Sequence, residues 1–167
     1  ELASGGYERA IKIFERVEGR AAGTLLAQQA SLDLAYAQHR SNDRAAALAT
    51  LDVVEQSAMA NAAVQGERLK AGAEALMAKH ACIGDVRGMG LANAVEIVAD
   101  RATKEPDAAT TEAIKNGLRD RGVLVGTTGT TGSMLKVRPP LAFTAREVPV
   151  FATALRTTLE TLETLRS

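Results

Sequence analysis

The chain has 167 residues, 46% hydrophobic and 24% charged, which is the composition of a folded domain, or one domain with an appended element, and not of a disordered chain. Its 20 basic and 20 acidic residues cancel, so no positive field gathers nucleic acid or an anionic membrane surface. No apolar run approaches the roughly 20 residues that span a bilayer, and ELASGGYERA lacks the basic-then-apolar pattern of a signal peptide. Cys82 with His39 and His80 gives too few ligands for a zinc site, so no metal is expected. A start at Glu1 instead of Met suits a processed product or an excised piece.

In chain order, residues 7–17 place Ala10, Ile11, Ile13, Phe14 and Val17 on the stripe of an amphipathic helix. Gly19 and Gly23 interrupt the pattern. It resumes over 24–40 with Leu26, Ala27, Ala30, Leu34 and Ala37, and with Thr24 as an N-cap. Together these segments predict a helical hairpin. Residues 41–43 then cap an alanine-rich third helix over 44–56. Separate apolar faces on the two stretches that follow predict a break near Ser57 and a fourth helix over 58–79.

After His80 the texture changes. Residues 83–100 combine β-branched residues, period-two alternation and glycines, which predict strand, turn, strand. Helical spacing returns over 107–121, with Ile114 and Leu118 four apart and Gly122 as the stop. Short strands are expected at 123–126 and 133–138, the second ended by Pro139 and Pro140, which offer a ladder no donor. Thr144 and Glu147 fit a capping box ahead of a closing helix that tolerates Pro149 in its first turn. The order predicts an α+β fold: an N-terminal helical hairpin continuing into a long helix, then a small mixed sheet with helices on one face.

The glycine-rich stretch GTTGTTGSMLKVRPP, 126–140, follows an apolar run as a phosphate loop does. A strand comes after it, however, where a phosphate loop needs a helix, and no lysine follows a glycine. It reads as a hairpin turn in which glycines 126, 129 and 132 supply positive φ. RGMGLANA, 87–94, holds G-x-G without the third glycine, also before a strand, and reads as a turn instead of a dinucleotide fingerprint. Asp85 and Arg87, two apart on a strand, are expected to pair. His80 suits the last carbonyls of a helix, and Cys82 is a small buried hydrophobe. Lys136 and Arg138 are the cations available to a substrate carboxylate or phosphate, the other reading being a solvated sheet edge.

IGDVRGMGLANAVEIVADRATKEPD, GLRDRGVLVG and LKVRPPLAF stand in an order and at gaps that resemble the C-terminal small domain of class III aminotransferases, pyridoxal phosphate enzymes of fold type I. AAALATLDVVEQ and GERLKAGAEAL extend the resemblance over 45–165. The pairing of DRATKEPD with LKVRPPLAF is most similar to the branch of alanine-glyoxylate aminotransferase type 2 relatives and amino-alcohol phosphate phospho-lyases. Several members carry, where Lys136 stands, an arginine that holds a substrate carboxylate; lysine offers a point charge without the bidentate fork. The family's Schiff-base lysine, pyridine-nitrogen aspartate and phosphate cup lie upstream in a large domain. No catalytic residue is therefore assigned in this sequence, and pyridoxal phosphate is not expected to bind it alone.

Residues 4–52 resemble a tetratricopeptide-type segment of the outer-membrane assembly lipoprotein D type. Ala10 and Phe14 recur as Ala47 and Leu51, 37 residues later, near the usual period of about 34. The two resemblances overlap at 45–52, which implies a junction in a chimeric chain, with domains at 1–43 and 44–167. What they imply is a partial class III aminotransferase, inactive alone. Its full-length relatives act on a small amine or amino acid and build their site at a homodimer interface. The alternative is a helical-repeat interaction module, although Tyr7, Phe14 and Tyr36 are expected to be used in internal packing. A weaker third reading is a phosphate binder using Lys136, Arg138 and threonines of 127–131. The first resemblance points to the cytoplasm and the second to the periplasm.

Overall fold

The computed structural model describes residues 4–20 and 25–165; the proposed Thr24 cap lies outside them. The chain divides into two compact units, one ending at Ala60 and the other beginning at Asn61.

The first unit is helical. Helices α1 (Ser4–Arg20) and α2 (Leu25–Arg40) pack on each other, followed by the first half of α3 (Arg44–Met77). Its interior is built from small residues, with Ala27, Ala30, Leu34, Ala37 and Ala47 buried beside Tyr7. Ser31 donates to Glu18 across the hairpin, and Thr50 donates to Gln38 at 2.8 Å. The α2–α3 turn has a physical origin in two residues. Asn42 takes φ 70, letting Asn42 N–H reach His39 O and Asp43 N–H reach Gln38 O, a Schellman stop with asparagine in the glycine position. Asp43 then accepts from Ala46 N–H at 3.0 Å and caps α3. Ile13 and Leu26, assigned to the apolar stripes, are 55% and 61% exposed.

Helix α3 is continuous, so the break expected near Ser57 does not occur. Nothing in 54–60 stops a helix, and Ser57 bonds back to Val54 O at 2.9 Å within the turn.

The second unit contains the rest of α3, then β1 (Ile83–Met89), β2 (Ala92–Asp100), β3 (Glu105–Pro106), α4 (Ala108–Asp120), β4 (Gly126–Thr128), β5 (Met134–Val137) and α5 (Val148–Thr164). The sheet is antiparallel throughout, in the order β1-β2-β5-β4, with β3 paired to β2. Val86, Val95, Ile97, Leu135 and Val137 alternate onto one face and bury against Leu69, Ala73 and Leu76 of α3, Ile114 and Leu118 of α4, and Leu155 and Leu159 of α5. This is the expected α+β arrangement with helices on one face, except that the sheet is wholly antiparallel where a mixed one was expected.

Several local devices fix it. The Asp107 side chain accepts from Thr110 N–H and caps α4. Gly122, at φ +79, ends that helix with bonds from Gly122 N–H to Arg119 O and from Val123 N–H to Leu118 O. The expected strand at 123–126 begins instead at Gly126, because Val123 N–H is taken by that stop and β5 ends at Val137, before Pro139 and Pro140. Gly129 and Gly132 have positive φ in the β4–β5 turn, whereas Gly126 lies in the strand.

Candidate functional site

A pocket of about 300 Å³ opens in the second unit where the chain leaves β5. Its floor is apolar, with Leu69 of α3, Val137 of β5 and Phe151 of α5. Its rim carries Leu124, which is 84% exposed, and Val150, which is 56% exposed. The charged groups on it are Arg138 and Glu147.

Each is positioned by sequence-local chemistry. Pro139 follows Arg138 and holds it in extended backbone just past the strand end. Glu147 Oε2 accepts from Thr144 N–H and from Thr144 Oγ1, both at 2.7 Å. Those bonds, the side-chain one first, hold the Glu147 carboxyl below its ordinary range. The glutamate half of the expected capping box is thus formed. The Thr144 hydroxyl donates to Glu147 and accepts from Arg146 N–H at 3.2 Å, and the helix itself starts at Val148.

The structure separates the two candidate cations. Arg138 lines the pocket. Lys136 does not: it sits half-buried on the opposite face of β5, level with Ala94 of β2 and Gly126 of β4, and its stem crosses Gly126. Since β5 lies between β2 and β4, Lys136 is on an interior strand and the sheet-edge reading fails for it. On the same open face Arg87 bonds Asp85, as expected, reaches Glu96 at 3.5 Å and lies 2.8 Å from Met134 Sδ. Hydrogen bonding to Asp85 raises the Arg87 pKa above its ordinary value against a smaller opposing effect of burial.

The helix-end role expected of His80 belongs to Arg101, whose guanidinium donates to Met77 O and His80 O at 2.7 and 2.8 Å. His80 itself is buried, with Nδ1 2.8 Å from Glu163 of α5. Cys82 is half-buried against the core.

Sequence reasoning missed Leu124, Phe143, Glu147 and Phe151 as pocket residues. An exposed leucine between two inward valines was the available signal at 123–125. Phe143 stood only within the LKVRPPLAF motif and Phe151 only within the closing helix.

In the first unit a groove of about 370 Å³ lies between α2 and α3, lined by Leu32, Tyr36, His39, Leu48 and Leu51 among others. Tyr36 is 59% exposed and stands under the Arg40 guanidinium, 5.9 Å from its ring centre, so it is not the internal packing residue expected. Tyr7 is buried.

Comparison with known proteins accounts for both units. An amine transaminase from an uncultivated Pseudomonas species, solved in its pyridoxal phosphate-bound form, superposes with TM-score 0.59 at 35% identity, over 70% of this chain and 27% of that one. The class III aminotransferase model matches residues 42–159, and the chain belongs to that family of pyridoxal phosphate-dependent enzymes. Alanine--glyoxylate aminotransferase 2 homolog 2, mitochondrial, of Arabidopsis thaliana is 40% identical over 66% of this chain and 23% of its own length. Ethanolamine-phosphate phospho-lyase homolog 1 of Caenorhabditis elegans is 35% identical over 66% of this chain and 24% of its own length. The chain therefore spans about a quarter of these relatives. A tetratricopeptide repeat model matches residues 1–69, so the two family matches overlap on 42–69, a stretch that includes 45–52.

The residues that line this pocket lack the groups that pyridoxal phosphate needs. That cofactor needs an amine for its carbonyl, a carboxylate for its ring nitrogen and a cup for its phosphate. The pocket has a guanidinium, no lysine, and a carboxylate already bonded to Thr144. Lys70 and Lys115 pair with Glu67 and Glu112, and Lys104 donates to Gly84 O.

Proposed function

We propose that this chain supplies the small, substrate-facing domain of a class III aminotransferase-type protein and performs no transamination by itself. The observation that carries this reading is the pocket at the end of β5, which offers ligand-binding groups without a Schiff-base amine. The family match over 42–159 supports the assignment of the domain. In such a protein Arg138 is the cation that contacts a small amine or amino acid substrate, while Lys136 acts across the open sheet face. The rest of the site, including the cofactor and a second subunit, comes from outside these residues. The family resemblance favours the cytoplasm.

The test is to titrate the purified chain with pyridoxal phosphate and follow absorbance near the internal-aldimine band, with borohydride reduction and peptide mapping. The expected result is no stoichiometric band and no modified lysine. A single lysine labelled to completion at low cofactor excess overturns the proposal.

A second reading is favoured by one observation: the apolar groove with Tyr36, Leu48 and Leu51 exposed along α2 and α3, within the stretch matched by the tetratricopeptide model. On this reading the first unit binds an amphipathic helix or extended peptide. A pull-down by the whole chain that survives replacement of Tyr36 and Leu48 by serine removes it.

A further inference from the structure

The two edges of the sheet are built differently. The order β1-β2-β5-β4 leaves β1 at one edge and β4 at the other. An edge strand offers unpaired N–H and C=O groups to any extended chain, and folded proteins close it with charged residues, a bulge or a covering side chain. The β1 edge has all three. Asp85 and Arg87 lie on the strand, the register shifts between Ile83 and Asp85, and Lys104 Nζ donates to Gly84 O at 2.5 Å. On the β4 side no charged residue occurs from Gly122 to Leu135, and among the described residues β4 pairs only with β5.

This second edge is longer than β4 itself. Residues 123–125 lead into it and are not taken up by β5, so the backbones of Leu124 and Val125 make no hydrogen bond among the described residues. Gly122 at φ +79 and Gly129 at φ +88 bound the stretch 123–128, which measures about 20 Å when extended. Val123 and Val125 pack against the core, whereas Leu124 is 84% exposed and Thr127 is exposed. β-Branched, uncharged and free of proline, the stretch has the character that strand addition uses. The nearest cation, Lys136 of β5, crosses Gly126 on the open face and not along the edge. Its flexible stem keeps the ammonium in water.

Charge and symmetry select the occupant. Two copies of 123–128 laid antiparallel bring no charged residues together within the joint, because neither supplies one. A two-fold axis normal to the sheet satisfies the antiparallel ladder and keeps the helix layers of both copies on the same side. The outer edges that remain are the two β1 strands, which are closed by the devices above. Assembly therefore ends at two copies and does not grow into a fibre.

We propose that two copies of this chain join edge to edge through residues 123–128, making one continuous sheet. A contact this short buries less than the roughly 1,200 Å² of stable interfaces, so the dimer forms and parts reversibly. It uses the second unit alone and does not depend on the proposed aminotransferase role.

The test is sedimentation of the whole chain from about 10 µM to about 1 mM, with amide exchange followed at both ends of that range. A reversible monomer–dimer equilibrium is expected. Exchange should slow with concentration at one of Leu124 and Val125, since alternate amides of an edge strand face outward. Leu124→Lys combined with Thr127→Lys, both exposed positions, should weaken association at least tenfold by placing like charges on the joint. Met89→Lys, on β1 and 87% exposed, should leave it unchanged. Unaltered amide positions at Val86 and Val95 verify the fold of each variant. A chain that stays monomeric throughout, which leaves the edge to some other strand, overturns the proposal. So does a dimer that the double variant does not weaken, or one that forms with no change of exchange at Leu124 and Val125, since another face then makes the contact.

Discussion

Replacing Gly66 by alanine tests how α3 meets the sheet. Gly66 is buried on α3, and a Cβ built there falls 1.9 Å from Gly90 O, 2.3 Å from Gly90 C and 2.8 Å from Gly90 Cα. An ordinary carbon–oxygen contact is about 3.3 Å, so the deficit is about 1.4 Å. All the atoms met are backbone. Gly90 O cannot simply swing away, because it accepts from the buried Asn93 side chain at 2.9 Å and Gly90 holds the β1–β2 turn at φ +53. Alanine gains about 1 kcal/mol of helix propensity over glycine. Against this stand overpacking of about 1–3 kcal/mol and a strained or lost hydrogen bond to a buried amide of about 1–3 kcal/mol. The net expectation is a loss of about 1–5 kcal/mol. Gly72, on the same helix, is the control: its added Cβ meets Ala152 Cβ at an ordinary 3.6 Å, so Gly72→Ala is expected to be neutral or to gain up to about 1 kcal/mol. Because the chain has two units, amide exchange at Val95 and Leu135 is the suitable assay, since it reports opening of the second unit by itself. Gly66→Ala should raise exchange there at least about fivefold, and Gly72→Ala should not. Protection in Gly66→Ala equal to that of the parent, or equal losses in both variants, refutes the packing argument.

Two further outcomes follow from local backbone chemistry. Gly122→Ala places a Cβ in open space but at φ +79, so it should cost about 1–2 kcal/mol through backbone strain alone, read by the same exchange, and Gly122→Asn should cost less because asparagine already does this job at position 42. Asp100 accepts from Thr103 N–H and Ala102 N–H, in that order of effect, which lowers its pKa below the ordinary aspartate value. A depressed carboxylate contributes stability that is complete above its unfolded pKa and lost as pH falls through the folded one. The Ala102 and Thr103 amide shifts should therefore move with a midpoint below the ordinary aspartate pKa and stay flat in Asp100→Asn; a midpoint at or above that value contradicts the turn.

The caps and the α+β order were legible in the sequence because their causes are local. Gly122 and the Asp85–Arg87 pair need only neighbours within a few residues, and each acts as its residue type dictates. What escaped depends on distant partners. His80 looked like a helix-end cation because its true partner, Glu163, lies 83 positions away. The two-residue strand β3 follows a turn at Lys104, φ 58, which no glycine announces. Residues 123–125 have strand composition, yet the opposing strand ends too early to pair with them. The pocket was half legible: Arg138 stood out as a cation, while Glu147 was read only as a cap and proves to be both.

The false break in α3 has a different origin, and it yields the last prediction. Alanine-rich helices bury whichever face a neighbour offers, so a change of buried face does not require a change of helix. Ala47 is buried in the first unit, and Gln65, Gly66, Leu69, Ala73 and Leu76 in the second; no residue from Leu48 to Val64 is buried. Asn61 anchors the start of the second stretch, its amide donating to Leu141 O at 3.0 Å and Phe143 O at 2.8 Å. The exposed turns between these stretches are helical only because no residue there stops them. Proline at Met59, which is 65% exposed, should therefore break the helix locally at a cost of about 3 kcal/mol while leaving each unit folded. The measurable result is reduced far-ultraviolet helicity with amide protection unchanged at Leu34 in the first unit and at Val95 and Leu135 in the second. Loss of protection at Val95 in Met59→Pro means that the second unit draws stability from the continuous helix, and the independence of the two units inferred from their separate cores is then wrong.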